Sequence, residues 1–519
     1  MSYPETLNQS FERALEFHAP DQTAFGFETS TVTWGEFGER VMQLARGLAG
    51  QGVGPRSVVG YSLPNCPDAI ALIVAISRLG ARAVPLFPKI PEPIRARVFS
   101  AFGCCVVLTS APSVEGLKQA LERMQSSIPV HDVGGLGAAH HAQVLPAYEV
   151  RASEPFLAAA SSGTTGVPKS VWITHDNVAA ILSATTDLAK LGDWVDGSYS
   201  TLMAFPLSTS SVLVVLGMLF AGAHLVFAED LRPTHYVEIA AHWQVDSLSA
   251  PPAYFEAILT LPRELVPPLP RVRAIFTGMD FLHPSLLSRL KERLPGLDRA
   301  ASGYGLVETS TIFMTWKAHD LEQMVEPLNV FTLCPSVANQ IDVRDDSGAS
   351  VGDGAEGELW VKGPSVVSGY LGQQPGSPAF VDGWFRTGDA ARRVDATRIE
   401  LCGRRKYLIK RGGKSVSPIE VQDRLDACKG VRTSAVVGVK HPLYGEMIWA
   451  FVVSERDGAV TLTDLMRECR ANLPVHMVPD QVTFVSELPR GSGVGKLDRE
   501  SLIRMAEAEL SAIQGEHCD

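Results

Sequence analysis

Short apolar, β-branched runs at 57–62, 105–109, 225–227 and 272–276 alternate along the chain with segments at 69–79 and 284–293 whose apolar residues recur at helical spacing. The alternation predicts α/β layers on mainly parallel sheets. Beyond residue 331 the pattern changes to strands separated by tight turns, at 340–344, 357–362 and 398–401, and predicts a β-rich unit. From about Lys406 the alternation returns, with a helix predicted over 418–427, strands over 431–439 and 450–454, and a helix over 462–472. The most apolar stretch, 212–228, falls short of the ~20 residues of a membrane span and carries Gly217, Gly222 and His224, so it predicts buried core. A Gly, Ala and His-rich stretch at 134–142 predicts an exposed connection in which His140 and His141 are solvated rather than metal-bound.

The length of 519 residues corresponds to roughly three units at about 150 residues each and excludes a small binding module. With 45% apolar and 20% charged residues the chain can bury large cores, which excludes disorder. Lys and Arg number 46 against 57 Asp and Glu, a net charge of -11 that argues against broad binding to nucleic acid or anionic membrane. Any anionic ligand therefore needs a local basic site. Residues 1–20 lack the basic start and apolar run of an export signal, and the eight cysteines show no CxxC pair or metal-like spacing. Both features predict a reduced, cytoplasmic protein, acting as monomer or homodimer.

The sharpest local signal is the run Ser161, Ser162, Gly163, Thr164, Thr165, Gly166, Val167, Pro168, Lys169, Ser170, set between apolar segments. Glycines let a backbone curl so that several N–H groups point at one anion, hydroxyls add donors, and a lysine adds charge, which suits phosphate. Pro168 stands where the Walker pattern needs Gly, so this is a different phosphate loop; read alone, it is also compatible with a flexible linker. The run Gly352-Asp353-Gly354-Ala355-Glu356-Gly357 matches GxGxxG but precedes a strand rather than following one, and reads as a turn. No GxSxG elbow anchors a serine-hydrolase reading.

Further along stand Gly303-Tyr304-Gly305-Leu306-Val307-Glu308-Thr309, Phe385-Arg386-Thr387-Gly388-Asp389, the segment from Gly403 to Glu420 containing Arg404, Lys406, Gly412 and Gly413, and the segment 489–496 ending in Lys496. Weaker members of the same ordered set are Val32 to Phe37, Arg78 to Leu86, Gly357-Glu358-Leu359, Gly369-Tyr370 and Tyr444-Gly445-Glu446. Together they resemble the adenylate-forming superfamily of acyl-CoA synthetases, aryl-CoA ligases, luciferases and peptide-synthetase adenylation domains, over essentially the whole chain. The resemblance implies a large N-terminal domain of layered mainly parallel sheets and helices with a β-rich subdomain, spanning 1–405 (subdomains at about 1–180, 181–330 and 331–405). A small mobile α+β C-terminal domain would occupy 406–519, with its hinge at Lys406.

The implied enzyme is an acid-thiol ligase that uses ATP, Mg2+ and coenzyme A. A carboxylate is a poor acyl donor, so AMP first replaces its oxygen and a thiol then attacks. Bringing a carboxylate to an α-phosphate joins two anions, which positioned positive charges stabilise. Carried over position by position, Ser161, Ser162, Gly163, Thr164, Thr165, Gly166 and Lys169 close over the phosphates, Glu308 holds magnesium, and Tyr304, flanked by Gly303 and Gly305 and with Gly278 nearby, lies against adenine. Asp389 accepts from the ribose hydroxyls, Arg404 contacts ribose or phosphate, and Lys496 bridges the α-phosphate and the acid. Gly412 and Gly413 line the thiol tunnel after rotation about Lys406. The basic run Arg404, Arg405, Lys406, Lys410, Arg411 and Lys414 gives the acidic chain a local positive field at the junction, although such a run is ordinarily a solvated face.

Departures from the usual family residues gather at the acyl end. Val307 replaces the Thr of YGxTE, and Ser170 replaces the Gly after the loop lysine. Thr209, in Phe205-Pro206-Leu207-Ser208-Thr209-Ser210-Ser211, replaces a larger gate, and no Asp for an α-ammonium is present in that segment. Met279 and Asp280, within Thr277 to Leu282, give a bulkier wall, which implies a short or flat acid; the hydroxyls of 208–211 either meet a polar ring substituent or form a solvated turn. The expected substrate is an aromatic acid of benzoate, aminobenzoate or cinnamate type. The alternatives are an acyl-AMP ligase loading an acyl carrier protein in trans, a medium-chain fatty acyl-CoA synthetase, a luciferase-like oxidase, and a non-catalytic adenylate-binding protein.

Overall fold

The computed structural model describes residues 6–136, 147–160, 170–191, 199–310, 312–324, 327–334, 338–372, 377–456, 458–490 and 497–515. The phosphate loop 161–169, Lys496, His140 and His141 lie outside them.

Two sheets build the larger part of the chain. One has six strands in the order Val130–Asp132, Val106–Thr109, Val58–Ser62, Arg82–Pro85, Pro155–Ala160 and Ser170–Thr174, parallel except for the last pair. The other has fourteen, and its parallel half runs Thr23–Phe27, His224–Phe227, Ser200–Met203, Ser247–Ser249, Ala274–Gly278 and Arg299–Gly305. Strands such as Val106–Thr109, Ser200–Met203 and Ala274–Gly278 are buried at every position, as expected of parallel strands covered on both faces. The strand expected at 272–276 starts later because Val272 is taken into a turn by donating to the Leu269 carbonyl, 3.2 Å.

Between the sheets lie helices that are largely apolar. In Pro67–Arg78 every residue from Ala69 to Arg78 is buried, and His175–Leu191 and Ser211–Phe220 contribute to the same core as Phe25, Val59, Ile173 and Leu225 from the two sheets. A helix apolar all round is stable only when covered all round, so the stretch 212–228 is an interior helix and strand. No helix among the described residues is long and apolar enough to cross a membrane. The motif around Val32 to Phe37 has a local structural role: Thr33 and Glu36 form a reciprocal capping box, 2.8 and 3.2 Å, that starts helix Trp34–Gly50.

From Ile312–Ala318 onward the large sheet turns antiparallel and continues through Val330–Leu333, Arg398–Arg404, Trp384–Arg393, Glu356–Lys362 and Gln340–Arg344. The β-rich segment therefore shares hydrogen bonds with the preceding layers rather than forming a sheet of its own. The GxGxxG run is a turn leading into Glu356–Lys362.

After the single turn Arg405–Tyr407 a smaller unit begins. The long hairpin Val431–His441 and Gly445–Ser454 alternates its faces. Val436, Ile448, Ala450 and Val452 pack on helices Pro418–Asp426 and Leu462–Asn472, while Val437, Trp449 and Phe451 pack on Arg499–Gly515.

Candidate active site

Ligands of open α/β sheets bind beyond the carboxyl ends of parallel strands. Here Gly278 and Gly303 pair at the ends of Ala274–Gly278 and Arg299–Gly305, so closely that a Cβ at Gly278 would stand 3.2 Å from the Gly303 carbonyl and one at Gly303 would press on Ile312 at 2.7 Å. Tyr304 follows, its ring 5.4 Å from Phe313 and 6.1 Å from Phe331. Its hydroxyl donates to Asp389 Oδ2 at 2.5 Å, so two side chains expected to serve adenine and ribose separately are one hydrogen-bonded unit.

Asp389 is buried and stands directly across the strand pair from Arg404, whose Nε lies 3.1 Å from Oδ1 and whose Nη1 donates to the Thr387 carbonyl at 2.8 Å. A carboxylate has two acceptor oxygens, matching the two donors of a ribose diol. Burial and then the Asp389 charge hold the Tyr304 phenol well above its ordinary value, which keeps it a donor. For Arg404 burial pulls downward, but Asp389, Tyr304 and Glu308 outweigh it and raise the guanidinium.

Glu358 was absent from the expected site residues, yet it shapes this loop. Its buried carboxylate accepts from Arg386 at 2.8 Å, Arg405 at 3.0 Å and the Gly388 N–H at 3.2 Å, while Thr387 donates to the Leu359 carbonyl at 2.8 Å. Gly388, at φ +74, supplies the left-handed step that turns Asp389 inward. The sequence signal was the Gly357-Glu358-Leu359 motif, noted without a role.

Glu308 sits in the single turn Val307–Thr309, closed by mutual hydrogen bonds of Leu306 and Thr309, and is buried. Tyr370 donates to its Oε1 at 2.7 Å. Tyr370 also bridges Val171, and the Leu371 N–H donates to the Ser170 carbonyl at 2.7 Å. Ala160 pairs with Ser170, so both flanks of the phosphate loop stand beside the Tyr370 and Glu308 pair. Val307 packs against the apolar core, which gives its missing hydroxyl a packing reason. Among the described residues no cluster of three or more His, Cys, Asp and Glu could hold a metal. A single buried carboxylate with one oxygen already engaged fits magnesium, which binds through one or two carboxylates plus substrate phosphates and water.

At the acyl end the hydroxyls are spent internally. Ser208 is buried and donates to the Leu63 carbonyl; Thr209 donates to the Pro206 carbonyl at 2.9 Å and accepts from the Ser211 N–H at 3.2 Å. The segment is a self-satisfied turn, with Ser208 buried rather than solvated. Asn65, another residue absent from the expected set, clips it by donating to the Phe205 carbonyl at 3.0 Å and accepting from the Leu207 N–H at 2.9 Å. The Phe205 ring lies 6.2 Å from Phe276. Met279 holds a left-handed φ of 70 and is 38% exposed, and Asp280 caps the Phe281 N–H at 2.9 Å.

The basic run at the junction is largely paired, against the expectation of a free positive field. Arg405 meets Asp346 and Glu358, Arg411 meets Asp480 at 2.5 Å, and Lys410 donates to Ser415 at 2.6 Å. Lys406 lies 3.8 Å from Glu500 and 4.3 Å over the Tyr407 ring. Gly412 and Gly413 are exposed, with nothing within 4 Å of an added Cβ, so in this arrangement they line no tunnel.

Residues 11–371 match the AMP-binding enzyme family and residues 420–496 the AMP-binding enzyme C-terminal domain. The chain is 29% identical over 525 residues to the phenyloxazoline synthase MbtB of Mycobacterium sp. (strain MCS), covering 99% of this chain but 43% of that protein. It is 28% identical over 486 residues to a feruloyl-CoA synthase of Amycolatopsis sp., covering 92% of this chain and 95% of that one. The fold superposes on the anthranilate CoA ligase AuaEII in complex with anthranoyl-AMP with a TM-score of 0.85 at 21% identity, over 99% of both chains. The chain belongs to the AMP-binding enzymes, the adenylate-forming superfamily.

Proposed function

We propose that the chain is an ATP-dependent carboxylic acid:CoA ligase that forms an acyl-AMP and then an acyl-CoA thioester, with an aromatic acid as substrate. The observation that carries this reading is the linked unit of Tyr304, buried Asp389 and Arg404 beside Glu308 and the flanks of the expected phosphate loop. Asp389 holds the ribose, Tyr304 backs the base, and Lys169 and the hydroxyls of 161–165 receive the pyrophosphate end. Glu308 would hold magnesium, whose chemistry when bound is neutralisation of phosphate charge. Lys496 brings its ammonium to the acid and the α-phosphate, where one charge pair at 4 Å contributes roughly 4 kcal/mol at an effective dielectric of 20.

The aromatic reading is supported by the Phe205 and Phe276 walls, by hydroxyls that leave no free polar group at 208–209, and by the likeness to a feruloyl-CoA synthase. In the proposed reading the arrangement of the two units serves adenylation. Arg490 and Leu497 pair at the base of the loop that ends in Lys496, and Arg499 lies 5.6 Å over the Tyr407 ring and within the field of Asp280. The unit 406–519 then rotates about Lys406 to bring Gly412 and Gly413 to the acyl-AMP.

The test is stepwise. Purified protein should release pyrophosphate only with an acid present and then consume free CoA. Transfer solely to a phosphopantetheinylated carrier protein would assign the acceptor to the carrier instead, and absence of acid-dependent pyrophosphate release would overturn the reading.

A further inference from the structure

His283 stands immediately before helix Pro284–Arg293 and faces helix Pro418–Asp426 of the small unit. Its Nδ1 lies 2.9 Å from Asp423 Oδ1 and its Nε2 lies 3.0 Å from Gln422 Nε2, so both ring nitrogens are engaged across the junction. Ser285 adds a hydrogen bond to Asp426 at 3.4 Å. Gln422 is buried and its Oε1 has no partner; turning the amide over would present that oxygen to Nε2–H. With the amide so turned, the site holds an imidazolium that donates from both nitrogens.

The surrounding charges agree. Burial pulls His283 down, but Asp423, Asp426 and Asp280 outweigh it and raise its value. Burial pushes Asp426 up to about 6, against the opposing pull of His283 and the Ser434 hydroxyl. Glu256, from helix Pro252–Leu259, adds negative charge near Asp426 and is itself paired with Arg289.

We propose that His283, Gln422, Asp423 and Asp426 form a clasp across the two units that positions the small unit for adenylation and must part before the thiol step. The proposal rests on the two-step reading above. The clasp joins residues 140 apart in sequence, on opposite sides of the Lys406 hinge, so rotation about that hinge carries Asp423 away from His283. Asp426 keeps its own-unit partner, Ser434 at 2.6 Å, through the motion. These are positioning residues: they set where Lys496 arrives and touch no substrate.

His283, raised by Asp423 and Asp426 across the junction, holds its proton more firmly in the clasped state than in the parted one, so the clasp weakens as pH rises through the range of His283. The decisive variants are Asp423→Asn and His283→Gln, each carrying fluorophores at exposed Ser288 and Lys429. At pH 6.5, without substrate, either variant should show a longer mean label distance than the parent chain. Adenylation should slow by about 3-fold to 10-fold, the scale of one ordinary net hydrogen bond, while transfer from purified acyl-AMP to the thiol is unchanged or faster. The parent should approach the variants as pH rises to 9. An unchanged label distance, an equal fall in both half-reactions, or a parent-to-variant ratio independent of pH would overturn the clasp. Because the distance needs no substrate, failure of every acid to release pyrophosphate would count against the proposed function alone.

Discussion

The nucleotide end and the acyl end of the site are constructed differently. Around Asp389 the polar groups are aimed at one another: the half-buried Tyr304, the more exposed Arg404, the buried Thr387 and, behind them, the buried Glu358 form a continuous network. Around Thr209 the hydroxyls are turned onto backbone carbonyls, Ser208 onto Leu63 and Thr209 onto Pro206, and Met279 is an exposed residue in left-handed conformation. In the proposed reading the first arrangement presents fixed charge to a nucleotide whose chemistry does not vary, and the second presents shape to the acid, so that changes there alter selectivity without disturbing the chemistry.

The contrast yields predictions in descending size. Lys496→Ala should lower acid-dependent pyrophosphate release by about 10²-fold to 10³-fold, the scale for losing one transition-state charge donor, and an unchanged rate would refute its role. Lys406→Pro should leave adenylation intact while reducing thioester formation by about 10²-fold, as expected for misplacement of a reacting group. Separate measurement of the two half-reactions checks this, and equal loss in both would contradict the hinge. Asp389→Asn weakens charge-assisted hydrogen bonds from Tyr304 and Arg404, so KM for ATP should rise by about 10-fold with KM for the acid nearly constant. At the other end Met279→Gly removes a left-handed cost of about 1–2 kcal/mol and widens the wall. It should shift preference towards longer acids by a few-fold and leave KM for ATP unmoved; a changed KM for ATP would show that the two ends are not separable.

Layer order, the interior helix 212–228 and the small unit's alternation were legible because period and burial coincide there. The ordered motifs also placed Tyr304, Asp389, Arg404 and Glu308 near one another. Sequence could not show that Tyr304 and Asp389 bond directly, since they are 85 residues apart and meet only through sheet pairing. Asn65 carries no spacing signal, and the Gly357-Glu358-Leu359 motif marks Glu358 without giving its role, because each acts on backbone N–H groups or arginines brought in by the fold. The basic run between 404 and 414 looked like a free field because its carboxylate partners, Glu358, Asp346 and Asp480, lie far off in the chain.

The most direct test is a pyrophosphate-release screen over benzoates, aminobenzoates, hydroxybenzoates, cinnamates and linear acids of graded length, with KM for ATP determined for each. The account predicts that kcat/KM for the acid varies widely and is highest for an aromatic member, while KM for ATP stays nearly constant. Release that favours linear acids, or KM for ATP that tracks the acid, would contradict it.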